Sequence, residues 1–360
     1  MKKILVVITT GLYQYGGLSI VALNYLSEMN RENLQIDFAS DNEISEEIKE
    51  TLKRFNCKYY RLPSRKKKTI CYIVKLKIIC ESDKYDVIHI HGNSSTMLIE
   101  LVAAYFGKIK KRIVHCHTTH SNYPILNYIL RPLFKILYTD AIATSQKAGE
   151  WLFTNNFIVL NNAVNLDKYK FSSTNRKMLR KELGVSDKFV IGTVGKLNAG
   201  KNYRFMLDIF STFYNLNPNS VLLIVGGGPE EIQLKEKAKQ LKIDKVVLFV
   251  GMQDHVEKFY SAMDFFLFTS LYEGLGMVLI EAQISGVEVL SSNTVPPETK
   301  ITNRISYLGL DASIFEWANE IYDNNPKLDR NLTKTEVEVI NELGFNIKCE
   351  ANKLRNIYMR

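Results

Sequence analysis

Short apolar runs alternate with stretches of helical period along the chain. KILVVIT (3–9) predicts a strand, and GLSIVALNYLSEM (17–29) repeats its apolar positions as a helix does. YDVIHIHG (85–92), KRIVHCH (111–117), DAIATS (140–145) and NFIVLNNAV (156–164) predict further strands, with helical stretches between them. The second half restarts the alternation. Its strands are KFVIGTVGKL (188–197), SVLLIVGGG (220–228), KVVLFVG (245–251) and DFFLFTS (264–270). Helical patterns cover 202–215, 230–241, a stretch from 254, and 277–285. Runs of strand–helix–strand units imply parallel sheets with helices on both faces. Two successive sets predict an α/β chain of two Rossmann-like, doubly wound domains, with ligands at the C-terminal ends of the strands. The polar, aperiodic FSSTNRK (171–177) marks the boundary, giving domains 1–170 and 171–339. The last stretch (336–360) reads as helical, and the segment after Pro297 shows no clear helix.

A length of 360 residues agrees with two domains at about 150 residues each. With 46% hydrophobic and 24% charged residues, the composition is that of an ordinary soluble protein. The net charge of +9 points to an acidic partner: nucleic acid, anionic lipid or a phosphorylated ligand. Its distribution is uneven, since residues 1–172 carry the whole excess and 173–360 are neutral. Arg65, Lys66, Lys67 and Lys68 precede ICYIVKLKIIC (70–80), which mixes apolar residues with Lys75 and Lys77. YPILNYILRPLFKIL (123–137) is a second segment of this kind. Each suits an interfacial amphipathic helix, or equally a solvated loop and a core helix. The charge asymmetry favours membrane contact through 61–80. Five cysteines without a CxxC pair argue against a disulfide framework or a cysteine zinc site and suit a reducing cytosol. No apolar run reaches the length of a membrane span. The apolar stretch near the start is too short for a signal peptide and reads as a strand.

Candidate chemistry gathers at strand ends. Gly226-Gly227-Gly228-Pro229 follows a strand and precedes a helix that opens with Glu230 and Glu231. Those acids disfavour a dinucleotide pyrophosphate, and a tight turn is the simpler reading. Lys196 and Lys201 lie beyond another strand, where two point charges can hold a diphosphate. Glu273, in a loop with Gly274 and Gly276, is separated by seven residues from Glu281 on the next helix. A helix would separate the two by about 12 Å, which suits two contacts on one extended ligand rather than a shared proton. His89/His91 and His115/His117 each share a strand face. They could be metal ligands, sheet-packing residues, or a source of one substrate-orienting His. No supporting ligand set favours the metal. Tyr15-Gly16-Gly17 lies between the first strand and first helix, where glycine permits close approach of a ligand.

Taken together, these segments resemble glycosyltransferase family 4, the retaining GT-B enzymes, in the branch that builds bacterial capsular and exopolysaccharides. The resemblance runs through Gly16-Gly17, HCHTTH (115–120), ATSQKAGEWLF (143–153), NNAVNLDKY (161–169), GTVGKLNAGKN (192–202), VGGGP (225–229), DFFLFTSLYEGLGMVLIEAQISG (264–286) and Pro296-Pro297-Glu298. It implies two domains facing a cleft, with a last helix (about 340–360) returning to the first. Lys196 and Lys201 would hold the donor's diphosphate and Glu281 the ribose. Glu273 with the backbone of Gly274, Leu275, Gly276 and Met277 would grip sugar and phosphate. His117 would stand beside the transferring sugar, and Gly16, with Gly17, would line the diphosphate or acceptor. No metal or other cofactor is implied. The implied partners are a nucleotide sugar, most simply a UDP-sugar, and a glycan or polyprenyl-diphosphate-linked acceptor at the inner face of the plasma membrane. Two positions depart from the common pattern: Lys196 stands where Arg is frequent, and Ser19 where an acidic residue is frequent. The competing functions are a nucleotide-sugar epimerase, a metal-dependent hydrolase and a basic nucleic-acid binder. The last lacks any recognition motif.

Overall fold

Residues 4–8 of β1 (Lys2–Ile8) are almost wholly inaccessible, and alternate side chains enter opposite cores. Ile4, Val6 and Ile8 pack with Ala22, Leu26, Ile347 and Leu354 on one face. Leu5 and Val7 pack with Tyr72, Leu76, Leu101 and Phe134 on the other. This two-sided burial explains the unbroken apolar run. The strands β2 (Leu34–Ser40), β3 (Tyr59–Arg61), β4 (Val87–Gly92), β5 (Lys111–Cys116), β6 (Asp140–Ala143) and β7 (Ile158–Val159) complete a sheet in the order β3-β2-β1-β4-β5-β6-β7. Every pairing is parallel.

This is a computed structural model describing residues 1–14, 16–324 and 329–360, so Tyr15 lies outside the described residues. The chain forms two units: Met1–Ala163 with Gly344–Arg360, and Val164–Leu343. The second holds β8 (Phe189–Val194), β9 (Ser220–Val225), β10 (Val247–Phe249), β11 (Phe265–Phe268), β12 (Glu288–Ser292) and β13 (Ile305–Leu308). Its strand order, β10-β9-β8-β11-β12-β13, reproduces the first six positions of the other sheet, again all parallel. Both units are therefore Rossmann-like, and the order reverses at β1 and at β8, where such sheets bind ligands.

The chain crosses between units at Ala163/Val164, ahead of the polar stretch at 171–177. That stretch instead opens the helix Ser173–Glu182, capped by Ser172 and held to the second unit by Arg176 and Arg180 on Asp264. The single C-terminal helix expected from sequence is two helices, Lys334–Glu342 and Ile347–Met359. Gly344, at φ +77°, supplies the left-handed residue that ends the first, and Asn346 caps the second. The second belongs to the N-terminal unit. Lys2 donates to the carbonyls of Tyr358 and Met359, and Arg355 donates to those of Asn30 and Glu32. Cations at a helix C-terminus satisfy its orphan carbonyls. The segment after Pro297 is more ordered than its pattern suggested. It forms β13 and the helix Ile314–Asp323, whose Ser313–Glu316 capping box and buried Trp317 anchor it. Its short apolar stretches, Ile305–Leu308 and the turns around Trp317, hid this in the sequence.

Candidate active site

In the C-terminal unit the loops after β8, β9 and β11 are stitched together by backbone. Leu197 N donates to Gly227 O (3.1 Å), Gly195 N to Val225 O (3.0 Å) and Glu230 N to Leu197 O (3.2 Å). A Cβ on Gly226, which lies at φ +136°, would stand 1.9 Å from the carbonyl oxygen of Gly195. One on Gly228 would stand 2.3 Å from that of Leu197. The glycine triplet thus lets two loop backbones touch, in line with the tight-turn reading. What it positions is Lys196, which is exposed and has no ion pair among the described residues.

Lys201 closes the short turn Ala199–Lys201, where Asn198 Oδ1 accepts from Lys201 N (3.3 Å) and Asn202 takes a left-handed φ of 55°. The loop after β11 holds this turn: Leu271 N donates to Gly200 O (2.8 Å), and Thr269 Oγ1 to Asn202 O (3.1 Å). These bonds place the Lys201 ammonium against the Glu273 carboxylate and 4.9 Å from the Phe268 ring centroid. Ser270 Oγ lies 3.1 Å from the same carboxylate oxygen. Lys201 and Glu273, far apart in sequence, therefore form one charged pair. Gly274 is exposed, Leu275 and Met277 are partly so, and Gly276 is buried. Gly276 begins the helix Met277–Ile284 from a left-handed conformation (φ +76°). A helix start of this kind presents N–H groups and a positive dipole end.

Glu281 sits one to two turns into that helix and is separate from the Lys201–Glu273 pair in its bonding. Tyr260 Oη donates to Glu281 Oε2 at 2.7 Å, and Tyr169 is a second hydrogen-bonding partner. Burial raises its carboxyl to about 7 against the stabilising pull of the two phenols and of Lys168. It is thus a carboxylate poised to gain from any further hydrogen-bond donor, such as a vicinal diol.

In the N-terminal unit Gly16 caps the helix Gly17–Glu28, and a Cβ on Gly17 would meet nothing within 4 Å. Ser19, where an acid was expected, is buried and ties the preceding loop back: its Oγ accepts from Tyr13 N (2.9 Å) and donates to Gly11 O (3.2 Å). His117 follows β5 directly, its N–H on Gly92 O (3.2 Å) and its Nε2 3.0 Å from His91 Nδ1. Burial pushes its imidazole down to about 3, so it is neutral at physiological pH and offers hydrogen bonds, not charge.

Sequence reasoning missed Tyr260 and Tyr169 as partners of Glu281. Tyr169 ended a recognised segment, NNAVNLDKY, but nothing in the spacing tied either phenol to a carboxylate. On the surface, Lys66, Lys67 and Lys68 of the basic run are exposed, and Arg65 departs from it. Arg65 turns inward and holds buried Glu100 through two nitrogens, at 2.6 and 3.0 Å. Three large apolar side chains, Ile70, Val74 and Ile78, are exposed on the helix Thr69–Ser82. The stretch 123–136 exposes seven, including Ile125, Tyr128, Ile129 and Ile136, while Phe134 and Asn127 fasten its helix to the core. Lys66 reaches over the Tyr123 ring (5.9 Å) and joins the two segments. Among the described residues no helix is long and apolar enough to cross a membrane.

Residues 15–168 match the model described as glycosyltransferase family 4, and 175–308 that described as glycosyl transferases group 1. The chain is 24% identical over 363 residues to the inferred glycosyltransferase EpsF of Bacillus subtilis (strain 168), covering 95% of this chain and 93% of that one. It is 23% identical over 320 residues to the Escherichia coli UDP-Gal:alpha-D-GlcNAc-diphosphoundecaprenol alpha-1,3-galactosyltransferase, covering 80% and 78%. Among solved structures, Anabaena HepE in complex with UDP and glucose superposes with a TM-score of 0.77 at 17% identity over the whole of both chains. The two-unit architecture is thereby that of the GT-B fold.

Proposed function

Because the chain belongs to glycosyltransferase family 4, we propose that it transfers a sugar, with retention, from a UDP-sugar to a lipid-linked glycan acceptor in cell-surface polysaccharide synthesis. The observation that carries the reading is the Lys201–Glu273 pair, set beside Lys196 and the start of the helix Met277–Ile284 at the C-terminal ends of β8 and β11. Lys196, Lys201 and the helix N-terminus balance the charge that grows on the departing nucleoside diphosphate. Glu273 steers the Lys201 ammonium and, with the backbone of residues 274–277, holds sugar and phosphate. Glu281 accepts the ribose hydroxyls.

In the transfer step the acceptor oxygen forms a bond to the anomeric carbon as the bond from that carbon to the diphosphate oxygen breaks. The acceptor hydroxyl's proton passes to the departing phosphate. The neutral imidazole of His117 supplies a hydrogen bond to the reacting sugar, and Gly16 and Gly17 leave room for acceptor or diphosphate. With three charge-stabilising elements already in the chain, the step needs no metal ion. The HepE complex with UDP and the diphosphoundecaprenol acceptor named for the Escherichia coli relative support the choice of donor and acceptor.

We also propose that the enzyme works on the cytoplasmic membrane surface. The exposed apolar face of residues 123–136 inserts among lipid headgroups, and Lys66, Lys67, Lys68 and Lys75 face the anionic lipid. Flotation with vesicles of neutral and anionic lipid tests this, and equal recovery with both would count against it. For the activity, the protein is incubated with UDP-hexoses, with and without a polyprenyl-diphosphate-linked sugar, in buffer containing EDTA. Transfer only when acceptor is present supports the proposal. Conversion of the donor to an isomer without acceptor would replace it with an epimerase.

A further inference from the structure

The N-terminal unit contains a second cluster that the transfer chemistry leaves largely unused. His89 and His91 on β4 and His115 on β5 project from the same face of the sheet, with His91 and His115 directly in register. All three are fully or almost fully buried, at 2% exposure or less. Their rings lie 4.2 to 5.3 Å apart between centroids. One ring nitrogen from each lies within 4.8 Å of those of the other two.

Their hydrogen bonding is incomplete in a patterned way. His89 Nδ1 contacts Tyr358 Oη at 2.6 Å, and His91 Nδ1 contacts His117 Nε2 at 3.0 Å. His89 Nε2 and both nitrogens of His115 have no hydrogen-bond partner among the described residues. A neutral imidazole carries one N–H donor and one acceptor, so His115 buries both unmatched. Packing alone would favour apolar residues at such positions, as at the neighbouring Ile113. Histidines that bind metals hold one nitrogen on an outer partner and keep the other free, as His89 does.

We infer that His89, His91 and His115 form a binding site for a divalent transition-metal ion, with Tyr358 and His117 as the outer partners of two of the ligands. Three imidazoles without a carboxylate suit zinc or cobalt rather than magnesium or calcium. Tetrahedral nitrogen ligands stand about 3.3 Å apart around zinc, so small rotations of the rings close the site. Tyr358 belongs to the C-terminal helix Ile347–Met359, so the ion would also brace that helix on the sheet. The site meets the proposed transfer machinery only through His117, and its presence does not depend on the donor or acceptor assigned above.

Metal-stripped full-length protein is titrated with Co2+ alone, followed by its visible absorption, and with Zn2+ in competition. The site should take up about one equivalent of Co2+ with the intense visible bands of a tetrahedral nitrogen site and no near-ultraviolet thiolate band. The last point excludes the five cysteines as ligands. His115→Asn and His89→Asn should each weaken binding at least about tenfold, and His120→Ala should not. If a variant fails to fold, wild-type protein labelled at histidine nitrogen decides. Zn2+ should then shift the ring resonances of His89, His91 and His115 and leave exposed His120 and His255 in place. Absence of Co2+ uptake, a thiolate band, or unchanged uptake in folded His115→Asn and His89→Asn would overturn the inference, as would unshifted ring resonances.

Discussion

In the N-terminal unit, four histidines on or just beyond β4 and β5 are held neutral by burial, all with pKa values pushed down. In the C-terminal unit, on a sheet of the same strand order, a partly buried carboxyl, Glu281, has its pKa pushed up. Desolvation is the leading cause in both, and it disfavours the charged form of each. Its consequences run in opposite directions on the pH scale. A base with a lowered pKa costs folding stability as pH falls, whereas an acid with a raised pKa costs stability as pH rises. One fold can thus carry two kinds of polar site, one built from neutral imidazoles and one from a carboxyl held by phenols.

The largest test of this comparison lies in the loops. Gly226→Ala places a Cβ against the Gly195 backbone at a positive φ, so neither rotamer nor side-chain movement can relieve it. It should cost on the order of 3 kcal/mol and disrupt the C-terminal unit. The chain has one tryptophan in each unit, Trp151 and Trp317, so Trp151→Phe leaves Trp317 to report on the C-terminal unit alone. Denaturant titration followed by Trp317 fluorescence checks the loss.

The next effect is acid sensitivity. The four histidines are neutral when folded, with His89 and His117 near 3, but take up protons near 6.5 when unfolded. Below pH 6.5 the unfolded state binds more protons, so stability falls as pH drops toward 3. In metal-free protein, the Trp151 signal should therefore be lost at higher pH than that of Trp317. Coincident acid transitions would contradict the comparison.

Glu281 gives a smaller and opposite effect. Its folded pKa of about 7 lies above the ordinary 4.5, so the folded state binds more protons between those values and stability declines as pH rises through that window. The carboxylate that accepts ribose hydroxyls forms only as pH passes 7. UDP affinity, measured by titration calorimetry, should rise between pH 6 and 8. In Glu281→Gln this rise should vanish. The smallest effect belongs to Gly17→Ala, at an open position with helical φ at the start of a helix. It should change stability by less than about 1 kcal/mol, in contrast to Gly226→Ala.

Much of this was legible in the sequence for a physical reason. Strands buried on both faces give unbroken apolar runs such as LLIV (222–225), and the alternation with helices leaves little freedom in topology. The loop residues Lys196, Lys201 and Glu273, and Glu281 on the following helix, were visible because strand ends locate ligand sites in such sheets. The Lys201–Glu273 pair was not, since it depends on the backbone bonds between residues 200 and 271. The phenols around Glu281 and the convergence of three histidines depend in the same way on which strands are neighbours. The break at Gly344 was hidden inside a continuous helical pattern, where a left-handed glycine outweighs the periodicity on either side.

The central claim is that the Lys201–Glu273 pair and its loops hold the donor's diphosphate. Calorimetric titration of UDP into wild-type protein and into Lys201→Ala, with Lys49→Ala as an exposed control, tests it most directly. Loss of one charge-assisted contact should weaken UDP by about tenfold or more, while Lys49→Ala binds as wild type does. Equal UDP affinity in folded Lys201→Ala and wild-type protein would contradict the account.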